Sequence, residues 1–233
     1  MPYQKRQQRE QAGDRQTAPR PRQRRMPKPA PKKEKRKFDV KLFGRWDSNV
    51  QVNDLGLAVY VNLEPRYLPR SAGIHRARFH KSKMHVVERL ALALMVPGHI
   101  GKRHRLSSGE FAGGYMNTLS AVEKALEIIE QKEKKNPIEI IVRAVENAAL
   151  REEIISYQLG SITAREAVIT APQRRVDKTL RYFAQGAYRK AFNKKKKIGE
   201  ALAEEIILAY RNSNESTAIR EKERIEREAQ GAR

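Results

Sequence analysis

The sequence predicts a mainly α-helical protein: roughly six helices with a protruding β-hairpin, a small N-terminal accessory segment and a disordered basic tail. Downstream of residue 81, apolar residues recur every three or four positions, as on the buried face of a helix. Two β-prone runs within 152–170 flank Gly160, which predicts a hairpin with its tip near that glycine. Residues 1–37 contain six prolines and almost no large apolar residue, so they cannot supply a core.

The charge balance predicts a polyanionic partner. The 233 residues include 49 Lys and Arg against 27 Asp and Glu, a formal net charge of +22. Half of this excess lies in residues 1–37, where 14 basic residues face 3 acidic ones. An anionic membrane surface is the weaker option, because no strongly apolar amphipathic stretch accompanies the tail. The longest apolar run, 90–96, is seven residues, whereas a membrane span needs about 20, so we expect a soluble intracellular protein without a membrane partner.

The first 80 residues divide into two segments. We expect residues 1–37 to be disordered when free and to order on nucleic acid, the alternative being a solubilising tail. In 38–80, the runs 50–52 and 57–61 look like short strands of a second hairpin around Asn53 and Asp54. Trp46 is interpreted as a packing anchor rather than a base-stacking platform. This segment is predicted to be an accessory layer on a helical domain over 81–233.

Helix start signals divide the region after residue 81. A first helix is predicted over 86–96, and a capping box at Ser107-Ser108-Gly109-Glu110 predicts the start of a second. Asn136 as cap followed by Pro137 predicts a third. A fifth helix packs through Ile198, Leu202, Ile206 and Tyr210. A sixth, 215–229, has so few large apolar residues that we expect it to dock lightly or to order on a partner.

A fourth helix begins at Pro172 and carries two stripes on opposite faces. The apolar stripe consists of Val176, Leu180, Phe183, Ala187 and Ala191. The other stripe is displaced by about 200° around the helix and consists of Arg174, Lys178, Arg181, Gln185 and Arg189. A solvated face normally mixes both charge signs, so the absence of a carboxylate favours a phosphate-binding face, extended by the basic connector 194–197.

The stretch 97–105 is predicted to be a basic loop between the first two helices, because it combines Pro97, Gly98 and Gly101 with three cations. It lacks the glycine spacing and the Ser or Thr of a nucleotide-binding phosphate loop. With no cysteine, thiolate zinc sites and cysteine nucleophiles are excluded. The histidines show no metal-ligand spacing, and no nucleophile elbow is present. We therefore predict a protein that is not an enzyme and has no cofactor or metal site.

Taken together, these motifs resemble the family of small-subunit ribosomal protein seven. The matching stretches in 81–233 are Glu88-Arg89-Leu90, Gly101-Lys102-Arg103, Ala144-Val145-Glu146-Asn147, the hairpin with Gly160, and Pro172-Gln173-Arg174-Arg175-Val176. Two stretches upstream resemble the archaeal and eukaryotic members, namely Lys41-Leu42-Phe43-Gly44-Arg45-Trp46 and Tyr67-Leu68-Pro69-Arg70-Ser71-Ala72-Gly73. Bacterial members lack that added segment.

The resemblance implies a structural protein that binds the 3′ major (head) domain of small-subunit rRNA and nucleates assembly of the head. By matching motifs it places Lys102, Arg103, Arg174 and Arg175 on the RNA, and the helical-wheel argument adds Lys178 and Arg181. The remaining candidate RNA-binding residues are Arg105, Arg189, Lys194 and Lys195.

The same resemblance implies that the hairpin tip lies near mRNA and the exit-site tRNA, beside small-subunit ribosomal protein eleven. The tip residues concerned are Tyr157, Gln158, Gly160, Ser161 and Arg165. Bacterial hairpins are basic before the glycine, whereas this chain has Tyr157-Gln158 there. Arg165 is then the one charge near the tip, and Tyr157 is a candidate to stack on a base.

An architectural DNA-binding or chromatin protein is the alternative, because a basic tail and a helical core would give a similar composition. RNA is favoured because the basic elements are dispersed, as suits a folded RNA whose helices converge from several directions. A helix-turn-helix needs a turn of about 3–4 residues, which neither the loop 97–105 nor the hairpin supplies. An RNA-modifying enzyme would need a cofactor loop or an acid/base pair that the sequence does not show.

Overall fold

The computed structural model describes residues 40–100, 109–111 and 113–233. The predictions for the tail 1–37, for Lys102, Arg103 and Arg105, and for the first half of the capping box lie outside these residues. Asp39–Arg233 forms one compact unit.

Helices dominate the described residues, and a single two-stranded sheet accompanies them, which confirms the predicted fold class. The helices are α1 (Leu55–Ala58), α2 (Val86–Met95), α3 (Tyr115–Glu133), α4 (Pro137–Ala148), α5 (Pro172–Ala191), α6 (Ile198–Tyr210) and α7 (Thr217–Gln230). The strands are β1 (Glu152–Leu159) and β2 (Ile162–Ile169), and a short 3-10 helix covers His80–Lys83. Within the described ranges, no helix is both long and apolar enough to cross a membrane.

Helix α5 lies at the centre of the domain. It packs against α2, α6 and α7, and more lightly against α1 and α4. Of its predicted apolar stripe, Ala187 and the large side chains Val176 and Phe183 are fully inaccessible to solvent, whereas Ala191 at the end of the helix is partly buried. Burying one such large side chain contributes about 1.5–3 kcal/mol, so this stripe fixes which face of α5 remains outside.

The helix start signals at Asn136 and near Ser107 had different outcomes. Asn136 caps α4 as predicted, because its Oδ1 accepts a hydrogen bond of 3.1 Å from the amide of Ile138, with Pro137 in the first turn. The predicted start of the next-earlier helix near Ser107 is wrong, since α3 begins at Tyr115 with Gly114 as its cap. Gly109 has φ +71°, a left-handed conformation that cannot open a right-handed helix.

The prediction of strands over 50–52 and 57–61 is also wrong. Asp54 instead caps helix α1, accepting a hydrogen bond of 2.9 Å from the amide of Gly56. The amides of Asn53 and Asp54 donate to the carboxylate of Glu146 on α4, so a distant residue holds this segment in place. Trp46 is a packing anchor, as predicted: it is 3% exposed and its indole donates to Glu130 at 3.0 Å.

The hairpin is present where the sequence predicts it. Strands β1 and β2 pair antiparallel, with Leu159 opposite Ile162 next to the turn. Gly160 in the turn has φ +61°, a conformation that glycine adopts without steric cost.

Helix α7 docks more firmly than predicted. Ala218, Ile219 and Ala229 are buried, and the Lys222 ammonium donates to the carbonyl of Asn147 at 2.7 Å. The amide of Arg151, just before β1, donates to Glu226 at 2.9 Å, so α7 braces the base of the hairpin. The expectation of light docking rested on large apolar residues alone, whereas small ones such as Ala218 and Ala229 provide much of this contact.

Glu205 on α6 is the buried carboxylate that holds the start of α7. It is fully inaccessible, and its Oε1 accepts hydrogen bonds from the amide of Thr217 and the hydroxyl of Ser216. Its Oε2 lies 2.5 Å from the ammonium of Lys190 on α5. Gly186 leaves the necessary room, because a Cβ there would lie 2.7 Å from the Glu205 carboxyl carbon. One side chain thus ties three helices together.

We predict that E205Q lowers the free energy of unfolding by about 1.5–3 kcal/mol. The substitution replaces the buried carboxylate by a neutral amide, which weakens the hydrogen bonds that the carboxylate accepts. The matched control is E204Q, which removes the neighbouring carboxylate from a partly exposed pair with Lys196 and should cost less than about 1 kcal/mol. Urea unfolding of both variants measures the two costs. Equal costs would contradict a tying role for Glu205.

His85 is a buried N-cap of α2, and its protonation makes the stability of the protein depend on pH. It caps the helix through Nδ1, which accepts a hydrogen bond of 3.2 Å from the amide of Val87, and its side chain is fully buried. Burial, helped by the charge of Arg66 and opposed by Glu64, lowers the pKa of His85 from 6.5 to about 4. The folded protein therefore keeps this imidazole neutral, while the unfolded chain protonates it below about pH 6.5.

We predict that His85 removes about 2 kcal/mol from the free energy of unfolding between pH 7.5 and pH 5, because over that range the unfolded chain binds the proton and the folded protein does not. The contribution is absent above the unfolded pKa and grows as the pH falls towards about 4. H85N keeps a cap that accepts from Val87 and removes the titration. Urea unfolding at the two pH values should show a shallower pH dependence for H85N; parallel dependences would exclude this role.

Candidate nucleic-acid interface

The outer face of α5 carries the predicted basic stripe, but its members differ in what they contact. Arg181 and Arg189 are exposed. The described carboxylates pair with other α5 cations, namely Arg174, Arg175, Lys178 and Lys190. Arg181 and Arg189 are therefore the stripe cations whose charge is most available to a polyanion.

Arg174 and Lys178 share one acidic partner at the base of the hairpin. Glu153 on β1 lies 2.7 Å from each of them. Burial alone would raise the pKa of Glu153, but the hydrogen bonds and charges of the two cations outweigh it and lower the pKa. The pairing links β1 to α5, and it leaves the two cations with one net positive charge.

Arg175 points into the protein rather than towards solvent. Its guanidinium donates to the carbonyl of Leu150 at 2.8 Å and pairs with Asp54 at 3.0 Å. Its side chain retains 15% exposure. These contacts hold α1 and the end of α4 against α5, so the RNA-binding role expected of Arg175 stays a prediction and would have to be indirect.

Gln185 interrupts the basic stripe, because it is buried under the loop that follows α2. Its amide nitrogen donates to the carbonyl of His99 at 3.4 Å, and the His99 ring meets Tyr188 edge-on with centroids 6.2 Å apart. Gln185 lies one helical turn from Arg181 and one from Arg189. The base of the predicted basic loop is thus seated on α5 between the two exposed arginines.

The two ends of this loop are joined by backbone hydrogen bonds. The amide of Gly98 donates to the carbonyl of Gly109 at 2.9 Å, and that of Phe111 donates to Met95 at 3.1 Å. Gly109 must lack a side chain, because a Cβ would lie 2.6 Å from the His99 ring. The loop between these ends contains Lys102, Arg103 and Arg105, which lie outside the described residues, so their RNA contacts stay a prediction.

The basic connector 194–197 follows α5 in the chain. Lys194 and Lys195 are exposed. Lys196 pairs with Glu204, which lowers the pKa of that carboxyl through a hydrogen bond and through its charge. The connector therefore presents Lys194 and Lys195 to solvent, as their proposed phosphate contacts require.

The tip of the hairpin is exposed and weakly charged. Tyr157 is 43% exposed, and Gln158, Ser161 and Arg165 are also on the surface. Leu159 and Ile162, which face each other across the turn, are 62% and 71% exposed. This apolar pair was not among the predicted tip residues, although the two residues flank Gly160 and Ser161 in the sequence and could have been identified from it.

The structure also brings together residues that the sequence reasoning missed. Arg78, Phe79 and Lys81 border a groove of about 810 Å³ between α2, α5 and residues 78–84. The alternation of cations with an aromatic residue in 76–81 was an available signal. We call this concavity the basic groove.

Lys81 and Arg89 meet Asp177 in the wall of the basic groove. The two cations lie 2.8 and 2.9 Å from its carboxylate. Burial would raise the pKa of Asp177, but these two hydrogen bonds and charges lower it. No group of three acidic, histidine or cysteine side chains suited to a metal ion occurs among the residues whose placement is described.

Comparison with known sequences identifies the family. The family described as "Ribosomal protein S7p/S5e" matches residues 61–233. The chain belongs to this family. Proteins of the same kind in three archaea, each called small ribosomal subunit protein uS7, align with most of the chain.

The relative from Nanoarchaeum equitans is 45% identical over 196 residues, covering 83% of this chain and 99% of the relative. Those from Archaeoglobus fulgidus and Methanothrix thermoacetophila are 42% and 40% identical, covering 84% and 83% of this chain and 97% and 100% of themselves.

Membership of the S7p/S5e family confirms the resemblance found in the sequence, and it makes the chain a ribosomal protein rather than an enzyme. The archaeal alignments are longer than the family match, so they extend upstream of residue 61. This agrees with the archaeal character expected from the segment that contains Trp46.

We predict that E153Q strengthens binding to a generic polyanion, because it releases Arg174 and Lys178 from their shared carboxylate. E166Q removes the same charge from the opposite strand, where Glu166 forms no ion pair with a described residue. Elution from immobilised heparin measures the effect: E153Q should need more salt than E166Q. Identical elution would show that the Glu153 pairing does not restrain these cations.

Proposed function

We propose that this chain is a structural protein of the small ribosomal subunit that binds the 3′ major (head) domain of the small-subunit rRNA. Its binding would hold rRNA helices in the arrangement that later proteins recognise and so nucleate assembly of the head. The observation that carries the proposal is the family match over 61–233, which includes α5, the hairpin and the basic loop. A ribosome in the cytoplasm is the corresponding location.

The distribution of charge supports RNA as the ligand. Arg181, Arg189, Lys194 and Lys195 present cations along α5 and its connector, and the loop base lies between the first two. Phosphate contacts of this kind provide salt-dependent affinity and fix the register of the protein on the RNA. Arg174 and Lys178 can join them where a phosphate competes with Glu153.

The hairpin is proposed to approach mRNA and the exit-site tRNA, next to small-subunit ribosomal protein eleven. Exposed Tyr157 supplies an aromatic face for a base, and Arg165 supplies the one nearby cation among the tip residues. With Glu152, Glu153 and Glu166 in its strands, the hairpin does not resemble a surface for phosphates alone. Stacking and apolar contact at the tip suit its composition better.

We predict that the full chain prefers isolated head-domain rRNA to random duplex DNA, and that the variant lacking residues 1–37 keeps this preference. The deletion should flatten the dependence of log affinity on log salt, because each lost phosphate contact removes about 0.7–0.9 from the slope. The remaining residues include the whole compact unit with its own core. Filter binding across a salt series measures both quantities.

Two outcomes separate the possible roles of the tail. A preserved preference with a smaller slope assigns recognition to the helical domain and an electrostatic role to the tail. Loss of the preference on deletion assigns recognition to the tail. Equal competition by duplex DNA with the full chain would overturn the rRNA proposal in favour of an architectural DNA-binding protein.

A further inference from the structure

The basic groove has the dimensions of a ligand site. Its volume of about 810 Å³ falls within the range of roughly 300–1,000 Å³ that is usual for pockets that take small molecules. Helix α2 forms one wall and α5 the other, and residues 78–84 close one end. Both walls are helices packed into the core, so the groove is preformed.

Large apolar side chains in the basic groove are exposed to solvent. Phe79 is 63% exposed, Val96 61% and Leu92 41%, and all three line the groove. Side chains of this size are normally covered, and clustered exposure marks a binding surface. An occupant of the groove must therefore present an apolar face to them.

The rim of the basic groove is strongly positive. It includes the five cations Arg78, Lys81, Arg174, Lys178 and Arg181, and buried Arg89 lies beneath them in the wall. They face two carboxylates, Asp177 in the wall and Glu153 behind Arg174 and Lys178. The guanidinium of Arg78 lies 5.4 Å from the centre of the Phe79 ring, so one cation accompanies the aromatic face directly. The occupant must carry negative charge as well as an apolar face.

We infer that the basic groove receives an unpaired nucleotide of the bound RNA, with its base stacked on Phe79 and its phosphates next to Arg78 and Arg181. A nucleotide combines a flat π-face with an anionic backbone, which matches this pairing of apolar wall and cationic rim. Proteins commonly recognise RNA by unstacked bases placed on aromatic side chains and arginines. The inference rests on the proposed RNA-binding function and adds to it a base-binding site at the basic groove.

An acidic amphipathic segment of a neighbouring protein is the competing occupant. It would also bring negative charge and apolar groups, but it offers no aromatic base and would not follow the RNA. The exposed aromatic ring with a cation beside it favours the nucleotide. If a nucleotide is the occupant, substitution of Phe79 should change the affinity for RNA in the absence of other proteins. If a protein segment is the occupant, it should not.

The first test is substitution of Phe79. F79A should weaken binding to head-domain rRNA by about 5- to 150-fold, the range expected for loss of one stacked base. The slope of log affinity against log salt should not change, because the substitution removes no charge. The matched control is Y67A, which truncates an aromatic side chain of similar exposure, 65%, outside the groove and should bind as the wild type does.

A second substitution separates stacking from phosphate contact. R181Q should reduce the salt slope by about 0.7–0.9, the change expected for one phosphate. Arg181 pairs with no described carboxylate, so this variant leaves the observed ion pairs intact. An unchanged slope would exclude a phosphate contact by Arg181 and overturn that part of the inference.

Tryptophan fluorescence tests the stacking directly. F79W places an indole at the proposed site, and its emission should be quenched when head-domain rRNA saturates the protein. The natural Trp46 is 3% exposed, so the wild type should show little quenching and serves as the control. F79W should also restore most of the affinity that F79A loses.

The outcomes distinguish this inference from the proposed function. If the wild type prefers head-domain rRNA but F79A binds as tightly as Y67A and F79W is not quenched, the base site is wrong and the groove is left for a protein segment. If the wild type does not prefer that RNA over duplex DNA, the proposed function itself fails. Thermal unfolding of F79A beside the wild type confirms that truncating an exposed side chain leaves the fold intact.

Discussion

The burial of the apolar stripe of α5 is the interaction on which the rest of the structure depends. Val176, Phe183 and Ala187 fix the rotation of this helix in the core, and α2, α6 and α7 pack around it. Because one face is buried, the stripe displaced by about 200° must lie outside or beneath another element. The loop base, the hairpin base and the basic groove all take their positions from this one orientation.

A second constraint is the large excess of positive charge. A few carboxylates pair with cations from different elements and so reduce the repulsion between them. Glu205 and Asp177 each join cations or amide donors from elements that are distant in sequence. Glu153 does the same for the base of the hairpin and α5. Of the three, only Glu205 is fully buried, so losing one of its partners is the most costly of these changes. Arg181 and Arg189, which have no such partner among the described residues, lie on the side of α5 that also seats the loop.

The two kinds of surface on this protein suit different parts of an RNA. Exposed lysines and arginines along α5 and its connector provide contacts that any phosphate backbone could make. The basic groove and the hairpin tip instead expose Phe79 and Tyr157, whose flat rings suit unpaired bases. A protein that combines both can fix the path of an RNA backbone and also recognise where the RNA departs from a helix.

The sequence by itself determined those local elements that short-range signals define, the class of protein and the sign of its partner's charge. Asn136 with Pro137, Pro172 and the runs around Gly160 act within a few residues, so α4, α5 and the hairpin could be read directly. Tertiary structure decided the rest, because it depends on residues far apart in the chain. The amide of Asn53, before α1, donates to Glu146 on α4. Arg175 is paired with Asp54, and Gln185 is buried under the loop that contains His99. A helical wheel shows that a cation lies on the face of the helix opposite the core. Only the tertiary packing shows whether its side chain contacts a carboxylate, a loop or solvent.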